Sequence, residues 1–537
     1  MIVILISWLV FFYMISITGI IVRKSLKLSN DKAFVLLYGI IFQTLFIAIF
    51  AFFYKIGLEF FVLNWFLILI ISYALKNEIS TYLKLLFISF SLQSKIIFIF
   101  LVFIIAFKSA QIPTIFDNES YYIQTIKWLN EYGYVKGIAN VHPFLAQCSF
   151  WHVFQSGFNF SFISSSFNDI NGLLLLVGLY YFFEKYSLKP NFYSIINSLF
   201  LIVYFQFIDA PSPDLPVLIF SSIIFYEFLF NTLHSKNRKA LLLFLLYLVF
   251  IKLTVFPLLF LVFSIVRKNR MLFSFFFKLS LVFGIVWVLK NIIITGYPLF
   301  PLSFFDLNLD WKLPSESMQY MFKNINNLGY AENASILNTY NLFQKLNFWI
   351  HLKGINGFFN IGTLILFLLI PFTKSFKALR NFKILYLILL IHFLFLLINS
   401  PQYRFFLPTF ICFGSLVLLE ISTYMRFLNR NSVFIFSLFL LSFSLFFDLK
   451  KGTILPLFKD NQILFPASTT KYENAVFVKK NIGNLTYFDP NLPNLYETSN
   501  GKLPCVNQKL FNFYTFFPQK RTTNIADGFY AKRIKNE

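Results

Sequence analysis

The chain has 537 residues, of which 58% are hydrophobic and 13% are charged, and this balance excludes an ordinary soluble domain. Several apolar runs reach roughly the 18 residues that a helix needs to cross a hydrocarbon core. The formal net charge is +23. Because most Lys and Arg residues lie in short loops between apolar runs, this charge indicates membrane orientation and not nucleic-acid binding.

Candidate membrane segments recur along the whole chain. We predict an all-α polytopic membrane protein with about 13 or 14 transmembrane helices, because lipid forces each segment to pair its own backbone polar groups. The segments lie near residues 1–22, 33–54, 58–75, 95–112, 168–184, 192–208, 214–232, 240–266, 271–293, 357–373, 382–399, 404–423 and 432–448.

Basic loops between these segments predict the orientation, since short loops rich in Lys and Arg stay on the cytoplasmic side. The loops lie near residues 22–32, 76–84, 235–239, 267–270, 373–383 and 425–430. One conflict appears, because the loops at 235–239 and 267–270 flank the single run 240–266. Two short helices with a turn at Lys252–Thr254 would resolve it and would keep Lys252 away from the bilayer centre. A single tilted helix with a snorkelling lysine is the alternative.

This topology gathers the polar loops on the opposite, outer face. They are residues 113–167, 209–214, the Lys252 turn, 295–356, 399–404 and the C-terminal residues 449–537. The last of these is less apolar, with clusters of Pro, Asn and Gly, and predicts a small extramembrane domain of mixed or β character. The predicted domains are N-terminal helices at 1–94, a transmembrane module at 95–448 and the outer-face domain at 449–537.

An acidic stretch follows the fourth apolar run. Asp117 and Glu119 precede a pattern that predicts an amphipathic helix from Tyr121, lying in the membrane interface and ending at Gly133. Asp117 suits an N-cap with Glu119 in the first helical turn. It also suits a general base or, with Glu119, a ligand for a divalent cation such as Mg²⁺, Mn²⁺ or Ca²⁺. The two interpretations are compatible.

Three segments of the outer face carry a family resemblance. The acidic pair is followed by His142-Pro143-Phe144-Leu145, and further along lie KNIIITGYPLFP (290–301) and PQYRFFLP (401–408). Their order and spacing resemble the GT-C glycosyltransferases. These membrane enzymes, such as protein O-mannosyltransferases and lipid A aminoarabinose transferases, use polyprenyl-phosphate-linked sugars. The resemblance implies inverting sugar transfer to a glycan, lipid or protein of the cell envelope, on the periplasmic face of a bacterial inner membrane.

The resemblance assigns the base to Asp117, while Glu119 would orient it, bind a metal or contact the acceptor. The donor phosphate needs cations at headgroup depth, and Arg404 suits this role because its guanidinium matches phosphate oxygens. Lys252 and Lys290 are secondary phosphate ligands, and His142 and Asp214 are acceptor-side or secondary residues. Each has a structural alternative. Arg404 could anchor its helix, Lys290 could snorkel, Asp214 could cap a helix, and His142 could be an ordinary loop residue.

Two other functions stay open from the sequence. The first is an O-antigen polymerase or ligase, although the loop 295–356 has none of the arginines that such enzymes carry in a large late loop. The second is a transporter or flippase for envelope lipids, which should place ionisable residues near the midplane between related halves. The run around Lys252 is the feature that fits a transporter best.

Overall fold

The computed structural model describes most of the chain. It covers residues 1–163, 170–188, 192–230, 234–267, 269–330, 336–424, 463–514 and 516–533, with residues 439–440, 442–443, 445, 447–448 and 453–454 between them. These residues are mainly helical, as predicted. The predicted segment at 432–448 lies largely outside the described residues.

Helices dominate the described chain, and the strands lie towards its C-terminal end. The α-helices are α1 (Ile2–Leu26), α2 (Lys32–Phe50), α3 (Leu58–Ala74), α4 (Lys76–Leu85), α5 (Leu92–Ser109), α6 (Ile123–Tyr132), α7 (Phe150–Gly157), α8 (Ile170–Leu188), α9 (Phe192–Ile196), α10 (Leu201–Phe205), α11 (Asp214–Phe230), α12 (Ser235–Ile251), α13 (Leu261–Val266), α14 (Arg270–Thr295), α15 (Ser315–Tyr330), α16 (Leu342–Ile350), α17 (Gly354–Leu369), α18 (Lys374–Ala378), α19 (Arg380–Asn399), α20 (Tyr403–Tyr424) and α21 (Gln508–Phe513). The 3₁₀ helices are Ile138–Asn140, Pro143–Gln147, Asn197–Phe200, Leu253–Phe260, Ile336–Thr339, Ile370–Phe372 and Ile525–Asp527. The strands are β1 (Phe447–Asp448), β2 (Thr453–Ile454), β3 (Val478–Ile482), β4 (Leu485–Asp489), β5 (Phe516–Lys520) and β6 (Phe529–Arg533).

Among the described residues, seven helices are long and apolar enough to cross a membrane, or eight if the bent pair α3–α4 counts as one span. The predicted total of 13 or 14 is therefore not reached by length and composition. Helices α11 and α12 have 17 residues each and fall just short. The segment predicted at 192–208 is not one continuous α-helix. This stretch is α9, a 3₁₀ turn and α10, and the turn falls where Asn197 donates a side-chain hydrogen bond to the Tyr193 carbonyl at 3.0 Å.

The break predicted at Lys252 is confirmed. Helix α12 ends at Ile251, Lys252 is extended with φ −151° and ψ 117°, and a 3₁₀ helix begins at Leu253. The chain then returns, since Lys239 in the first turns of α12 lies 5.2 Å from the ring of Phe275 near the start of α14. Both basic loops that flank this run therefore lie at one end of the bundle.

Other basic segments reach the same end, which we call the basic end. Arg23 and Lys24 at the end of α1 form ion pairs of 3.4 and 2.6 Å with Glu78 of α4. Lys239 donates to the Leu26 carbonyl at 3.4 Å, and Asn381 donates to the Phe228 carbonyl at 2.9 Å. This segregation is what the positive-inside rule produces.

The C-terminal residues 463–533, which we call the tail, hold strands β3 to β6 in two antiparallel hairpins, Val478–Asp489 and Phe516–Arg533. The mixed character predicted for this region is confirmed. The tail lies against the loops that join the membrane helices. Main-chain hydrogen bonds of 2.9 Å link Ile2 to the Ile463 carbonyl and Phe529 to the Lys136 carbonyl.

The helix predicted after the acidic stretch is confirmed as a π-helical turn at Asn118–Tyr122 followed by α6. It ends at Gly133, whose φ of 73° favours glycine. The tail covers its polar face, and its expected place in the membrane interface stays a prediction. Gln124 donates to the Ser499 and Gly501 carbonyls at 3.1 and 3.2 Å.

Candidate functional site

Four ionisable side chains meet at the end of the bundle opposite the basic end. Each lies at the terminus of a helical element. Asp214 begins α11, Lys252 follows α12, Arg404 is the second residue of α20, and Asp117 precedes the π-helical turn. We call these four residues the ion cluster and this end of the bundle the site end. All four were sequence-predicted candidates, and the fold brings them together.

The ion cluster is a chain of alternating charges. Arg404 Nη1 lies 2.6 Å from Asp117 Oδ2 and 3.6 Å from Asp214 Oδ2. Lys252 Nζ forms a direct ion pair with Asp214 Oδ1. Arg404 therefore bridges the two carboxylates, and Asp214 bridges the two cations. The guanidinium suits this position because its fork of donors can serve several acceptors at once.

Asp117 does not act as the helix cap that its spacing suggested. Its carboxylate makes no capping hydrogen bond, and it accepts instead from Arg404 and, at 3.4 Å, from the hydroxyl of Tyr122. The turn that follows Asp117 and carries Tyr122 is a π-helix, a rare element that is frequent at functional sites. The unusual turn therefore presents Asp117 to α20.

Neighbouring side chains hold Arg404 and Asp214 in place. Gln402 accepts from Arg404 Nε at 2.9 Å, and Ser212 donates to Asp214 Oδ2 at 3.3 Å. The buried amide of Asn171 donates to the carbonyls of Phe207, Ala210 and Ser212, which holds the turn before Asp214. The ring of Phe405 lies 4.0 Å from Lys252 Nζ and 5.1 Å from Arg404 Cζ, so both cations also contact one aromatic ring.

Exposure differs along the ion cluster. The side chains of Arg404, Asp117 and Lys252 are 21%, 17% and 15% exposed, whereas that of Asp214 is 3% exposed. Asp214 is thus the buried counter-ion, and the other three keep a small exposed surface. Such a partly desolvated site strengthens interactions with an anion or a reacting hydroxyl.

Lys290 of α14 lies apart from the ion cluster. Its Nζ donates to the Cys148 carbonyl at 2.9 Å and lies 4.7 Å from the ring of Phe150. It is 4% exposed, and no described carboxylate forms an ion pair with it. Burial raises the pKa of the neighbouring Cys148 thiol to about 11, so this cysteine stays a thiol.

Glu119 and His142 face the tail and not the ion cluster. Glu119 is 1% exposed, and its carboxylate accepts from Thr470 Oγ1 at 2.5 Å and from the Lys471 backbone at 3.0 Å. Burial raises its pKa despite these donors. The ring of His142 bonds the Tyr496 carbonyl at 3.1 Å, and burial lowers its pKa to about 4. His142 is therefore neutral at pH 7.

Sequence reasoning missed His152 of α7. This residue is fully buried, and its ring centroid lies 4.5 Å from that of Tyr122, the tyrosine that binds Asp117. Burial, opposed by the nearby Asp117 charge, lowers the pKa of His152 to about 3. The motif FWHVF offered no signal beyond a lone histidine in an apolar run.

The residues proposed for a divalent cation do not form a cage. Among the described residues, no group of three or more His, Cys, Asp and Glu side chains is arranged to hold a metal ion. Asp117 faces Arg404, whereas the oxygens of Glu119 are occupied by donors of the tail and of Asn118. Asp117 and Glu119 are therefore not placed to share a metal ion.

These features define a helical polytopic membrane protein with the ion cluster at the end of the bundle opposite the basic end. The chain belongs to the family described as Domain of unknown function (DUF8201), whose family model matches residues 1–411. The matched range contains the whole ion cluster and ends before the tail. No curated protein matches the chain significantly. No solved structure does so either.

Proposed function

We propose that this protein is a membrane glycosyltransferase that uses a polyprenyl-phosphate-linked sugar. The observation that carries the proposal is the ion cluster itself. It combines a carboxylate and two cations, Asp117 with Arg404 and Lys252, in one chain of ion pairs at one end of an apolar bundle. A sugar on a lipid phosphate presents its reactive groups at the headgroup level of the membrane, and its polyprenyl chain lies in the bilayer.

Arg404 and Lys252 would bind the donor phosphate. An arriving phosphate competes with Asp117 and Asp214 for these cations, because both cations are already charge-paired. Exchange of Asp117 for a phosphate oxygen at Arg404 leaves the Asp117 carboxylate able to accept a proton. Lys290 would add positive potential from the side of His152, whose pKa its charge helps to lower.

Asp117 would act as the general base in an inverting displacement. The acceptor hydroxyl gives its proton to Asp117, and its oxygen forms a bond to the anomeric carbon. The bond between that carbon and the phosphate oxygen breaks, and the electron pair leaves on the polyprenyl phosphate. Arg404 and Lys252 stabilise the leaving phosphate, which is the charge that develops in the transition state.

The resemblance to GT-C glycosyltransferases also implies a cellular location and an acceptor class. The site end would face the periplasm of a bacterial inner membrane, and the acceptor would be a glycan, lipid or protein of the envelope. The segregation of basic loops at the other end supports this orientation. Helices α8, α11 and α12 would complete the transmembrane module beyond the seven candidate spans.

The test uses purified protein in lipid nanodiscs with undecaprenyl-phosphate-linked sugars, and it follows release of undecaprenyl phosphate. We expect release that depends on Asp117 and Arg404. Undecaprenyl-pyrophosphate-linked oligosaccharides form the comparison arm. Release from these donors alone would favour the polymerase or ligase alternative.

A lipid transporter or flippase is the second candidate, favoured by charges at the basic end. There Lys185 Nζ lies 2.8 Å from Asp31 and 3.0 Å from Glu227, and Tyr181 donates to Glu227 at 2.6 Å. Glu227 lies on the same helix as Asp214, about 20 Å away by helical rise. A transport path would need both ends, so Glu227→Gln would abolish lipid movement across the bilayer. In the glycosyltransferase this variant would leave donor cleavage intact.

A further inference from the structure

The acidic turn that carries Asp117 is held on both sides by the tail. Before it, the Ala467 backbone donates to the Ala110 carbonyl at 2.9 Å. After it, Asn118 donates its side chain to the Thr469 carbonyl at 2.8 Å, and the Glu119 carboxylate accepts from Thr470 and Lys471. The tail therefore contacts the chain within one residue of Asp117.

Glu119 is the centre of this attachment. Besides its carboxylate, its main-chain carbonyl accepts hydrogen bonds from the backbones of Thr498 and Ser499 at 2.9 and 3.0 Å. One residue thus joins two separate segments of the tail. A buried carboxylate is retained only when donors compensate its desolvation. Here the compensating donors belong to the tail and to Asn118.

A second contact fixes the tail at a distance from Glu119. The Phe529 backbone donates to the Lys136 carbonyl, and both neighbouring glycines have left-handed conformations, with φ 62° at Gly137 and 99° at Gly528. A Cβ at Gly137 would lie 2.2 Å from the Phe529 carbonyl oxygen, and a Cβ at Gly528 would lie 2.2 Å from that of Lys136. The two backbones approach as closely as glycine allows. The tail therefore sits in a defined position and can impose that position on the acidic turn.

We propose that Glu119 is a positioning residue through which the tail sets the place of Asp117 against Arg404. The π-helical turn connects the two functions, since Asp117 points to α20 and Glu119, two residues on, points to the tail. Loss of the Glu119 contacts would release the turn and lengthen the contact between Asp117 and Arg404. The inference rests on the proposed function only for its turnover readout.

The test combines Glu119→Ala with a covalent restraint of the tail. Lys127 and Asn500 are partly exposed and lie in contact across the same interface, with Lys127 Nζ 3.3 Å from Asn500 Oδ1. The variant Lys127→Cys with Asn500→Cys can be bridged by a short bis-maleimide. The three native cysteines, all buried, are first replaced by alanine. Asp489→Asn is the matched control, because it removes a buried carboxylate that bonds Lys480 within the tail.

Amide hydrogen exchange of residues 115–132 is the readout that needs no activity. We expect Glu119→Ala to lower protection there about tenfold or more, cross-linking to restore it, and Asp489→Asn to leave it unchanged. Unchanged protection in Glu119→Ala would overturn the proposal, since the tail would then not hold the turn.

Turnover separates positioning from direct catalysis. We expect Glu119→Ala to lower kcat about 10- to 100-fold with the donor KM within about threefold, because a misplaced base slows chemistry while Arg404 remains. Cross-linking should restore kcat. Restored protection without restored kcat would show instead that Glu119 acts on the substrate. If the unmodified protein cleaves no donor, the proposed function fails and the exchange measurement alone decides the role of Glu119.

Discussion

Arg404 Nη1 lies 2.6 Å from Asp117 Oδ2, although the two residues are 287 positions apart in the chain. This contact joins the first turn of α20 to the loop after α5. It places the strongest cationic donor of the site end beside the carboxylate that the proposed reaction uses as its base. A ligand that binds Arg404 must therefore change the partner of Asp117.

Replacement of Asp117 by Asn should remove the base while keeping the size of the side chain. We expect donor cleavage to fall about 10²- to 10⁴-fold, the usual contribution of a general base. Folding should be retained, as monitored by size-exclusion chromatography. Asp310→Asn is the control, because Asp310 is a 57% exposed acid that pairs with Arg521. Turnover near the unmodified rate in Asp117→Asn would contradict the catalytic role.

Replacement of Arg404 by Lys tests the guanidinium and not merely its charge. Lysine has a single nitrogen and lacks the planar fork with which Arg404 reaches Gln402 through Nε and Asp117 through Nη1, so a phosphate should be held by fewer donors. Loss of one charge-assisted hydrogen bond of about 1.5–3 kcal/mol should weaken donor binding about 10- to 100-fold. Titration with undecaprenyl phosphate measures this. Equal weakening in Arg521→Lys, in which a similarly half-buried arginine far from the ion cluster is changed, would show that the effect is nonspecific.

Lys252 and Asp214 can be separated by a double-mutant cycle. Lys252→Met leaves the buried Asp214 with one cation fewer, which should destabilise the protein by about 3 kcal/mol. Lys252→Met combined with Asp214→Asn should recover much of that loss, and thermal unfolding measures it. Donor affinity should stay low in the double variant, because the phosphate has lost a cation. Full recovery of affinity would identify Lys252 as a counter-ion only.

Docking of the tail should weaken at acidic pH through His142. Its pKa is about 4 in the folded protein and near 6.5 when exposed, so between these values the undocked form binds a proton that the docked form excludes. The contribution of neutral His142 to the free energy of docking is therefore fully present above about pH 6.5. Up to about 3 kcal/mol of it is lost as the pH falls towards 4. Glu119 opposes this trend, since burial raises its pKa and protonation relieves its desolvation.

Hydrogen exchange of the tail across this pH range, corrected for intrinsic rates, tests the His142 prediction. His142→Gln should flatten the profile between about pH 4 and 6.5. A profile with the same slope in both proteins would mean that another group controls docking.

The predictable part of the fold came from apolar runs and from the charges between them. Ten of the thirteen predicted segments overlap single helices, and the break at Lys252 followed from two basic loops that could not lie on opposite sides. Hydropathy could not detect the short helices α9 and α10, because averaging over a window hides a 3₁₀ turn at Asn197–Phe200. It also could not show that α11 and α12 have only 17 residues each.

Some residues of the candidate site were also predictable from the sequence, and others were not. Asp117, Asp214 and Arg404 were predictable because each lies at or near the end of an apolar run on the same side of the topology, and Lys252 because it interrupts such a run. The partners of Glu119 and His142 were not, since Thr470 and Tyr496 lie 351 and 354 positions away in a region without periodic signal. His152 was missed because nothing local distinguishes a buried histidine that supports a site from one that fills a core.

The most direct measurement is the binding of undecaprenyl phosphate against undecaprenol, which lacks the phosphate, to the purified protein in nanodiscs. Native mass spectrometry of the protein and of Arg404→Ala reports both affinities without knowledge of the acceptor. The proposed function predicts that the phosphate-bearing lipid binds at least about tenfold more tightly and that Arg404→Ala removes this preference. Equal binding of the two lipids to the unmodified protein would contradict a lipid-phosphate site at the ion cluster.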